Sequence, residues 1–342
     1  MLLERLSNAC GIAGREDEVR ELLKAELAPY ADDMWTDVMG NLIVRKGSGP
    51  VKVLLDAHMD EVGFCISAIT DEGYLKLKTV GAIDNRVIPG RQVWVTNQRI
   101  PGVIGAKAWH LTSADDRRRA IPLEEMYVDL GCRSRDEVEA LGVELGDPVY
   151  FATTFERLGF RTVKGKAMDD RAGCAVLAEI LAQTERPELT LYGVFAVQEE
   201  VGLRGARAAA YNIHPDLAIA IDCTAASDAP GVDEIDISAR MGAGPVLYLV
   251  EGGTAPNPLV FDALVRLALE NGIPHQFKKT AAGGTDAGAI ATARSGVPVC
   301  SLSIPGRYIH TNASLISLDD FDATVRLVDR FLDSVAKGDL RP

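Results

Sequence analysis

Two histidines and a set of carboxylates follow apolar stretches of the sequence at short spacing. His58 and Asp60 end one stretch, in LLDAHMD, and His310 follows another after a short loop, in SIPGRYIH. Glu199 and Glu200 end a third, in FAVQEE. Imidazole nitrogens combined with carboxylate oxygens suit zinc, cobalt or manganese better than magnesium or calcium, which prefer shells made of oxygen alone. The residue types therefore indicate a site for borderline divalent cations.

Further carboxylates make a two-metal site chemically reasonable. Asp222 ends an apolar stretch in AIAID, and Asp169 and Asp170 lie in KAMDDRAG, just before a predicted helix. Two cations at the separation usual for hydrolytic sites, about 3.5 to 4 Å, need a carboxylate between them. Such a pair lowers the pKa of a bridging water and polarises a carbonyl, while a carboxylate that is not a ligand takes the proton of the water.

Each of these residues has a simpler reading when it is taken alone. A single histidine at a strand end is more often a hydrogen-bonded cleft or core residue than a ligand. Acid pairs such as Asp115-Asp116 are typical of solvated turns and helix N-termini. The pairs at 169–170 and 199–200 differ because they lie between apolar segments, where unpaired charge is costly. Taken together, the candidate histidines and carboxylates follow one another along the chain at successive strand ends, and this order favours a metal site.

The apolar stretches predict the strands that would position these side chains. They lie at 51–57, 189–197, 217–221 and 297–304. Three of the four are short, rich in Val, Ile and Leu, and lead into polar residues rather than hairpin turns. Helical patterns alternate with them at 16–28, 170–184, 202–211, 259–271, 286–294 and 319–336. We therefore predict an α/β domain with a mainly parallel sheet flanked by helices. Ligands of such sheets bind beyond the carboxyl ends of the strands, so the polar residues should share one cleft.

A middle segment interrupts this pattern. Residues 63–155 contain short alternating stretches at 74–80, 92–96 and 149–153, with Pro-Gly turn signals near residues 89 and 101. This pattern of short alternating stretches and turn signals predicts a smaller β-rich domain. The α/β pattern begins before the segment and resumes after it. The predicted division is thus a discontinuous catalytic domain, 1–62 with 156–342, and an inserted domain, 63–155.

Composition limits the class of protein. The 342 residues include 47% hydrophobic and 25% charged residues, with no apolar run near the roughly 20 residues that cross a bilayer. The 36 Lys and Arg against 49 Asp and Glu give a net charge of -13, which disfavours binding to nucleic acid or anionic membranes. The N-terminus lacks the apolar core of a signal peptide. Six scattered cysteines are interpreted as small buried residues without disulfides, and the predicted location is the cytoplasm.

Six ordered motifs carry a family resemblance. DAHMDEVGF, KAMDDRAG, FAVQEEVGLRGA, AIDCT, AAGGTDAGAI and IPGRYIHTNAS resemble the signatures of the M42 family of metallo-aminopeptidases. The resemblance spans nearly the whole chain, including IPGVIGAKAWHL in the inserted segment. It implies an enzyme that removes N-terminal residues from peptides. It also implies a zinc-peptidase-like catalytic domain and a PDZ-like inserted domain through which dimers assemble into dodecameric shells.

The same resemblance implies roles for individual residues. It assigns one divalent metal to His58, Asp169 and Asp222 and another to Asp169, Glu200 and His310, with zinc or cobalt, or manganese, as the ions. Asp169 would be the bridge between the two metals.

Two more residues receive catalytic roles from the resemblance. Glu199 would be the general base that deprotonates water and later protonates the departing amine. Asp60 would orient His58, for which the His-x-Asp spacing also has a physical reason, since Asp60 can accept the second N–H of the ring. A cis peptide between Asp169 and Asp170 is implied as well.

Three details and three functional alternatives stay open at this point. Cys223 is a further soft ligand only if its side chain turns towards Asp222, against strand geometry. The GGTD segment at 283–286 either caps the following helix or lines the substrate pocket. His110 either reaches the site of a neighbouring subunit or makes a loop hydrogen bond. The alternatives are another metal-dependent amidohydrolase or deacylase, a glycoside hydrolase, and an oligomeric scaffold without catalysis.

Overall fold

Two helices begin the chain, strands dominate from Asp33 to Gly165, and helices and strands alternate in the remainder. The computed structural model describes residues 1–280 and 283–340. The α-helices are α1 (Leu2–Asn8), α2 (Asp17–Leu27), α3 (Arg135–Ala140), α4 (Met168–Gln183), α5 (Arg204–Ile213), α6 (Pro258–Glu270), α7 (Ala287–Ala291) and α8 (Leu318–Ala336). The first nine strands are β1 (Asp33–Thr36), β2 (Leu42–Lys46), β3 (Val51–His58), β4 (Gly63–Ile69), β5 (Tyr74–Val80), β6 (Gln92–Val95), β7 (Ile100–Gly105), β8 (Tyr127–Asp129) and β9 (Pro148–Phe151). The later strands are β10 (Glu156–Leu158), β11 (Thr162–Gly165), β12 (Leu189–Ala196), β13 (Leu217–Ala225), β14 (Val246–Tyr248), β15 (Gln276–Lys278), β16 (Val299–Arg307) and β17 (Ser314–Ser317).

Four residues fall outside this description. Residues 281 and 282, the first two of the AAGGTDAGAI motif, lie outside the described residues, as do 341 and 342 at the end of the predicted catalytic domain.

One large sheet carries the candidate site. Its strand order is β1-β2-β12-β3-β13-β16-β17-β11-β10, and β14 and β15 join it beside β16. The central strands β12, β3, β13 and β16 pair in parallel, whereas the strands outside them in that order pair antiparallel. The prediction of a mainly parallel sheet is therefore wrong for the flanks. Only the central strands have the long apolar runs by which doubly covered parallel strands are recognised.

The register of the central strands brings their carboxyl ends to one edge. His58, the last residue of β3, lies opposite Ala196, the last residue of β12. Asp222 lies inside β13 rather than after it, because Cys223 and the next two residues still pair with β16. The predicted end of that strand at Ile221 was too early, since ladder hydrogen bonds use the backbone and do not depend on side-chain polarity.

Helices cover both faces of the sheet, as predicted. Side chains of α1, α2, α4, α6 and α8 form one buried cluster with the sheet, and those of α5 and α7 form another on the opposite face. Val53 and Leu55 of β3 belong to the first cluster and Leu54 to the second, because successive strand residues point to opposite faces.

A second sheet closes on itself. Its antiparallel strands follow the order β4-β5-β8-β7-β6-β9 and form a closed barrel. Phe64 and Phe151 pack edge to face inside it, with ring centroids 5.5 Å apart, and closure leaves no free sheet edge there. The barrel lies between Gly63 and Phe151, and β10 belongs again to the large sheet. The exact division into two domains stays a prediction.

The cysteines and helices bear on two further predictions. All six cysteines are free thiols, but Cys65 and Cys132 are half-buried rather than buried as predicted. Cys65 alternates along β4 with Phe64 and Ile66 of the barrel core and so points to the other face, and Cys132 lies in the loop between β8 and α3. Over residues 1–280 and 283–340, no helix is long and apolar enough to cross a membrane.

Candidate metal centre

The predicted ligands come together from five different elements at the carboxyl edge of the parallel strands. His58 ends β3, Asp222 lies in β13, and Asp169 is at the start of α4. Glu200 lies in the loop after β12, and His310 lies in the turn after β16. All five line one cleft of about 730 Å³. Strand ends that are distant in sequence thus meet at one place, as the α/β topology requires.

Asp169 lies between the two histidines. Its Oδ1 is 3.2 Å from Nε2 of His58, and its Oδ2 is 3.3 Å from Nε2 of His310. Burial alone would raise the pKa of Asp169, but the hydrogen bonds and charges of both imidazoles outweigh it and lower that pKa well below its usual range. The carboxylate therefore offers one oxygen to each side of the cleft.

A second carboxylate stands beside each histidine. Oδ1 of Asp222 is 3.8 Å from Nε2 of His58, and Oε1 of Glu200 is 3.5 Å from Nε2 of His310. Potential ligand atoms of His58, Asp169 and Glu200 also lie within 4.8 Å of one another. These distances fit donor sets that share Asp169, and the nitrogen–oxygen mixture is one that zinc, cobalt or manganese accepts.

Asp170 has a different environment from its neighbour. Its carboxylate accepts hydrogen bonds from the backbone amides of Gly173, at 2.9 Å, and His58, at 3.3 Å. It also shares a group of potential ligand atoms with His58 and Asp222. The peptide bond between Asp169 and Asp170 is cis. Since both bonds of Asp170 go to backbone amides, its carboxylate ties the start of α4 to the end of β3.

Asp60 contacts His58 and the loop after β12 through different atoms. Nδ1 of His58 donates to the backbone carbonyl of Asp60 at 3.1 Å and lies 3.5 Å from its Oδ1. The carboxylate accepts the backbone amides of Glu199, at 3.0 Å, and Glu200, at 3.1 Å. Asp60 therefore connects a candidate ligand on β3 with both acidic residues of that loop.

Glu199 lines the cleft without appearing in either donor set. Burial is the largest cause that raises the pKa of its carboxyl to about 8. The nearby His58 opposes this rise, and the charges of Asp286 and Asp169 add to it. A carboxyl whose pKa lies near neutrality can both accept and return a proton. The Glu199 carboxyl can therefore exchange a proton with a molecule bound in the cleft.

The clustered negative charges of the site favour the binding of a cation. Glu199, Glu200, Asp169 and Asp222 are all largely removed from solvent. Burial opposes charge on His310, yet Asp169 and the two glutamates raise its pKa to about 9. Clustered buried carboxylates are costly unless positive charge compensates them, and divalent cations would supply that charge.

The wall of the cleft also includes residues that the sequence patterns did not single out. Tyr248 of β14 and Lys278 of β15 both line the cleft, and the Lys278 ammonium lies 4.4 Å from the centre of the Tyr248 ring. Both strands have three residues, too few for a periodic pattern. A tyrosine in the apolar segment VLY and a lysine in QFK gave no signal of a shared site.

The structure shows the surroundings of Cys223, of the GGTD segment at 283–286 and of His110. The Cys223 thiol donates to the backbone carbonyl of Met168 at 3.0 Å, although Cys223 also borders the cleft. Thr285 accepts the backbone amide of Ala287 at 3.2 Å, whereas Asp286 makes no side-chain cap of α7. Gly283 and Gly284 line the cleft. The GGTD segment thus combines capping with a position at the cleft wall, and His110 lies exposed in a short turn at Trp109–Leu111.

Comparisons with known proteins agree with this architecture. The sequence profile of the M42 glutamyl aminopeptidase family matches residues 40–327. The chain is 39% identical to the putative aminopeptidase FrvX of Escherichia coli K12 over 337 residues, which cover 98% of this chain and 95% of that protein.

Solved structures are similar over the same extent. A TET aminopeptidase from the marine sediment archaeon Thaumarchaeota archaeon SCGC AB-539-E09 superposes with a TM-score of 0.94 and 35% identity, covering 98% of this chain and 97% of that one. The Pyrococcus horikoshii TET1 peptidase, described as assembling into a tetrahedron or a large octahedral shell, gives a TM-score of 0.86 and 33% identity, covering 97% and 99%. The chain belongs to the M42 family and is an aminopeptidase, a hydrolase of peptide bonds.

Proposed function

We propose that the chain is a dinuclear metal-dependent aminopeptidase, with His58, Asp169 and Asp222 holding one ion and Asp169, Glu200 and His310 holding the other. The observation that carries the proposal is the position of Asp169, whose two oxygens face different histidines at 3.2 and 3.3 Å. A shared carboxylate is what two ions about 3.5 to 4 Å apart require. The mixed donor set favours zinc or cobalt, with manganese as a third candidate.

The proposed reaction divides between the ions and the protein side chains. When bound, two divalent ions would lower the pKa of a water and polarise the scissile carbonyl. Glu199 takes a proton from the attacking water and returns it to the amine that leaves. Its burial in the cleft and its raised pKa of about 8 support this exchange. Asp60 holds His58 in orientation through the carbonyl bond to Nδ1.

Substrate binding follows from the charge of the cleft. The free amine of a peptide N-terminus is a cation, and the carboxylates around the site attract it. An amidohydrolase or deacylase with the same metals would not require that amine, so acetylated substrates distinguish the two. The glycoside hydrolase alternative has little support, since one tyrosine and no tryptophan line the cleft over the described residues.

Assembly and location complete the proposal. The likeness to a TET peptidase that forms tetrahedral and octahedral shells supports a homo-oligomer, and we assign the barrel, as a PDZ-like domain, to contacts between subunits. A dimer that assembles further to a dodecamer, and the cytoplasmic location, stay predictions.

The experiment measures hydrolysis of aminoacyl-p-nitroanilides by protein stripped of metal with a chelator. Zn²⁺, Co²⁺ and Mn²⁺ are restored one at a time, and each substrate is paired with its N-acetylated form. Metal-dependent cleavage that acetylation abolishes is the expected result. Release of p-nitroaniline from acetylated substrates at the same rate would favour an amidohydrolase that needs no free amine, and the absence of any cleavage at full metal occupancy would contradict the proposal.

A further inference from the structure

The loop that carries Glu199 and Glu200 is held by its backbone amides. It lies between the end of β12 at Ala196 and the start of α5 at Arg204, in irregular structure. Four consecutive amides of this loop each donate to a side-chain oxygen. The pairs are Val197 to Asn41 Oδ1 at 3.0 Å, Gln198 to Glu16 Oε1 at 3.2 Å, Glu199 to Asp60 Oδ1 at 3.0 Å and Glu200 to Asp60 Oδ2 at 3.1 Å.

The acceptors come from three separate parts of the chain. Glu16 precedes α2, Asn41 precedes β2, and Asp60 follows β3. All three are buried, with 4%, 0% and 0% of their surface exposed. Residue Gln198 takes a left-handed backbone conformation, with φ of 58°, which few non-glycine residues adopt without support from neighbouring contacts. The loop conformation therefore depends on acceptors that lie outside it.

Asn41 also fixes the far end of the loop. Its Oδ1 accepts the amide of Val197, and its Nδ2 donates to the carbonyl of Gly205 at 2.9 Å. The approach is so close that a Cβ at Gly205 would lie 2.2 Å from that Oδ1 and 2.4 Å from the Val197 carbonyl oxygen. The buried amide group of Asn41 thus ties the two ends of the loop together, beside the backbone bond from the Gly205 amide to the Val197 carbonyl at 2.9 Å.

Glu16 holds a point between those ends. The same Oε1 that accepts Gln198 also accepts the amide of Gly14 at 2.7 Å. The hydrogen bond from Gly14 therefore fixes the Glu16 carboxylate within its own segment, in addition to its contact with the loop. Neither Glu16 nor Asn41 lines the cleft, so any effect on chemistry has to pass through the backbone of the loop.

We propose that Glu16 and Asn41 are positioning residues, which hold the Val197–Glu200 backbone so that the Glu199 and Glu200 carboxylates stay at their working positions in the cleft. The proposal deepens the proposed function and rests on it for the roles of Glu199 and Glu200. Groups that orient catalytic and ligand residues from behind commonly change metal affinity or activity by about 10- to 100-fold when they are removed. Small displacements of reacting groups are sufficient for losses of that size.

The test compares Glu16→Ala, Glu16→Gln and Asn41→Ala with the control Glu21→Ala, an exposed residue of α2, the helix that follows Glu16. For each purified full-length protein, kcat and KM are measured with one aminoacyl-p-nitroanilide, and Zn²⁺ affinity is measured by competition with a chromogenic chelator. Thermal midpoints record folding separately. Because Gln keeps an acceptor oxygen, Glu16→Gln separates the loss of the hydrogen bond from the loss of charge.

We expect Glu16→Ala and Asn41→Ala to lower kcat by about 10- to 100-fold with a smaller change in KM, and to weaken Zn²⁺ binding, while Glu16→Gln recovers most of both. Folded alanine variants with unchanged kcat and Zn²⁺ affinity would overturn the proposal. So would a Glu16→Gln variant as impaired as Glu16→Ala. If the wild-type protein cleaved no aminoacyl substrate, the proposed function would fail, but the Zn²⁺ measurement would still decide whether the loop is positioned in this way.

Discussion

Asp169 and His310 face each other at 3.3 Å through Oδ2 and Nε2, on the side of the carboxylate that points away from His58. One carboxylate therefore has an oxygen beside each histidine. In the proposed site Asp169 belongs to both donor sets, so substitutions of Asp169 should differ from those of ligands that belong to one set.

Asp169→Asn is expected to weaken both metal sites together. The amide removes the negative charge and one acceptor oxygen from between the ions. Removing a group that only orients a ligand usually lowers metal affinity by up to about 100-fold. Because Asp169 would bind both ions directly, we expect the affinity for each ion to fall by more than that. The measurement is metal content after dialysis against a fixed concentration of free Zn²⁺. Asp115→Asn, in an exposed turn of the inserted segment, is the control. Retention of two ions at unchanged affinity would show that Asp169 is not the bridge.

Glu199→Gln is expected to lower kcat by about 10²- to 10⁴-fold, the usual contribution of a general base. Metal content should not change, because Glu199 belongs to neither proposed donor set. The rate is compared with that of Glu188→Gln, an exposed residue on the approach to β12. A Glu199→Gln enzyme with the wild-type rate would exclude Glu199 as the base.

The buried carboxyl of Glu16 predicts a pH dependence of stability. Burial and then the charge of Asp60 raise its pKa from 4.5 to about 7, against the backbone hydrogen bonds that lower it. The native state therefore binds this proton more tightly than the unfolded state, so the contribution of Glu16 to stability falls as the pH rises from about 4.5 to about 7 and is constant above.

Glu16→Gln removes that titration. Its stability relative to wild type should increase by a few kcal/mol between about pH 4.5 and pH 7, since each unit of pKa shift is worth about 1.4 kcal/mol. Urea unfolding of the metal-free proteins at several pH values measures the difference, with Glu21→Gln as an exposed control on α2. A difference that does not vary with pH would contradict the assignment.

Lys278 predicts discrimination between substrate side chains. Its ammonium lies 4.4 Å from the centre of the Tyr248 ring on the wall of the cleft, where it would attract an acidic N-terminal residue and repel a basic one. We expect kcat/KM for a Glu substrate to exceed that for its neutral Gln analogue by about tenfold, equal to about 1.4 kcal/mol. Lys278→Met should remove the difference, and Lys279→Met, at the exposed neighbour, should keep it. Equal rates for Glu and Gln in the wild type would be the contrary result.

Parts of this fold could be predicted from the sequence because their signals are local. The parallel strands β3 and β12 were predicted within one residue at each end, and β5 was predicted at Tyr74–Val80 without error. Long apolar runs mark such strands. The antiparallel flanks were missed because strands of three to five residues, such as β2 and β14, are too short for a period to be read.

Some residues of the candidate site could likewise be predicted from local sequence signals, whereas others could not. Residues at strand ends, such as His58 and Glu200, stand next to recognisable apolar runs and could be found. Glu16 and Asn41 lie 182 and 156 residues from the amides that they accept, and nothing in their local sequence indicates that contact. The carboxylate of Asp60 was assigned to His58 alone, whereas its two oxygens accept amides of the Glu199 loop. Contacts of this kind depend on tertiary packing rather than on spacing.

Anomalous diffraction from crystals of the metal-free protein soaked in Co²⁺ or Zn²⁺ would show whether Asp169 bridges two ions. We predict two anomalous peaks per chain, about 3.5 to 4 Å apart, with the carboxylate of Asp169 between them, His58 and Asp222 at one peak and Glu200 and His310 at the other. A single peak per chain at full occupancy, or two peaks that do not share Asp169, would contradict this prediction.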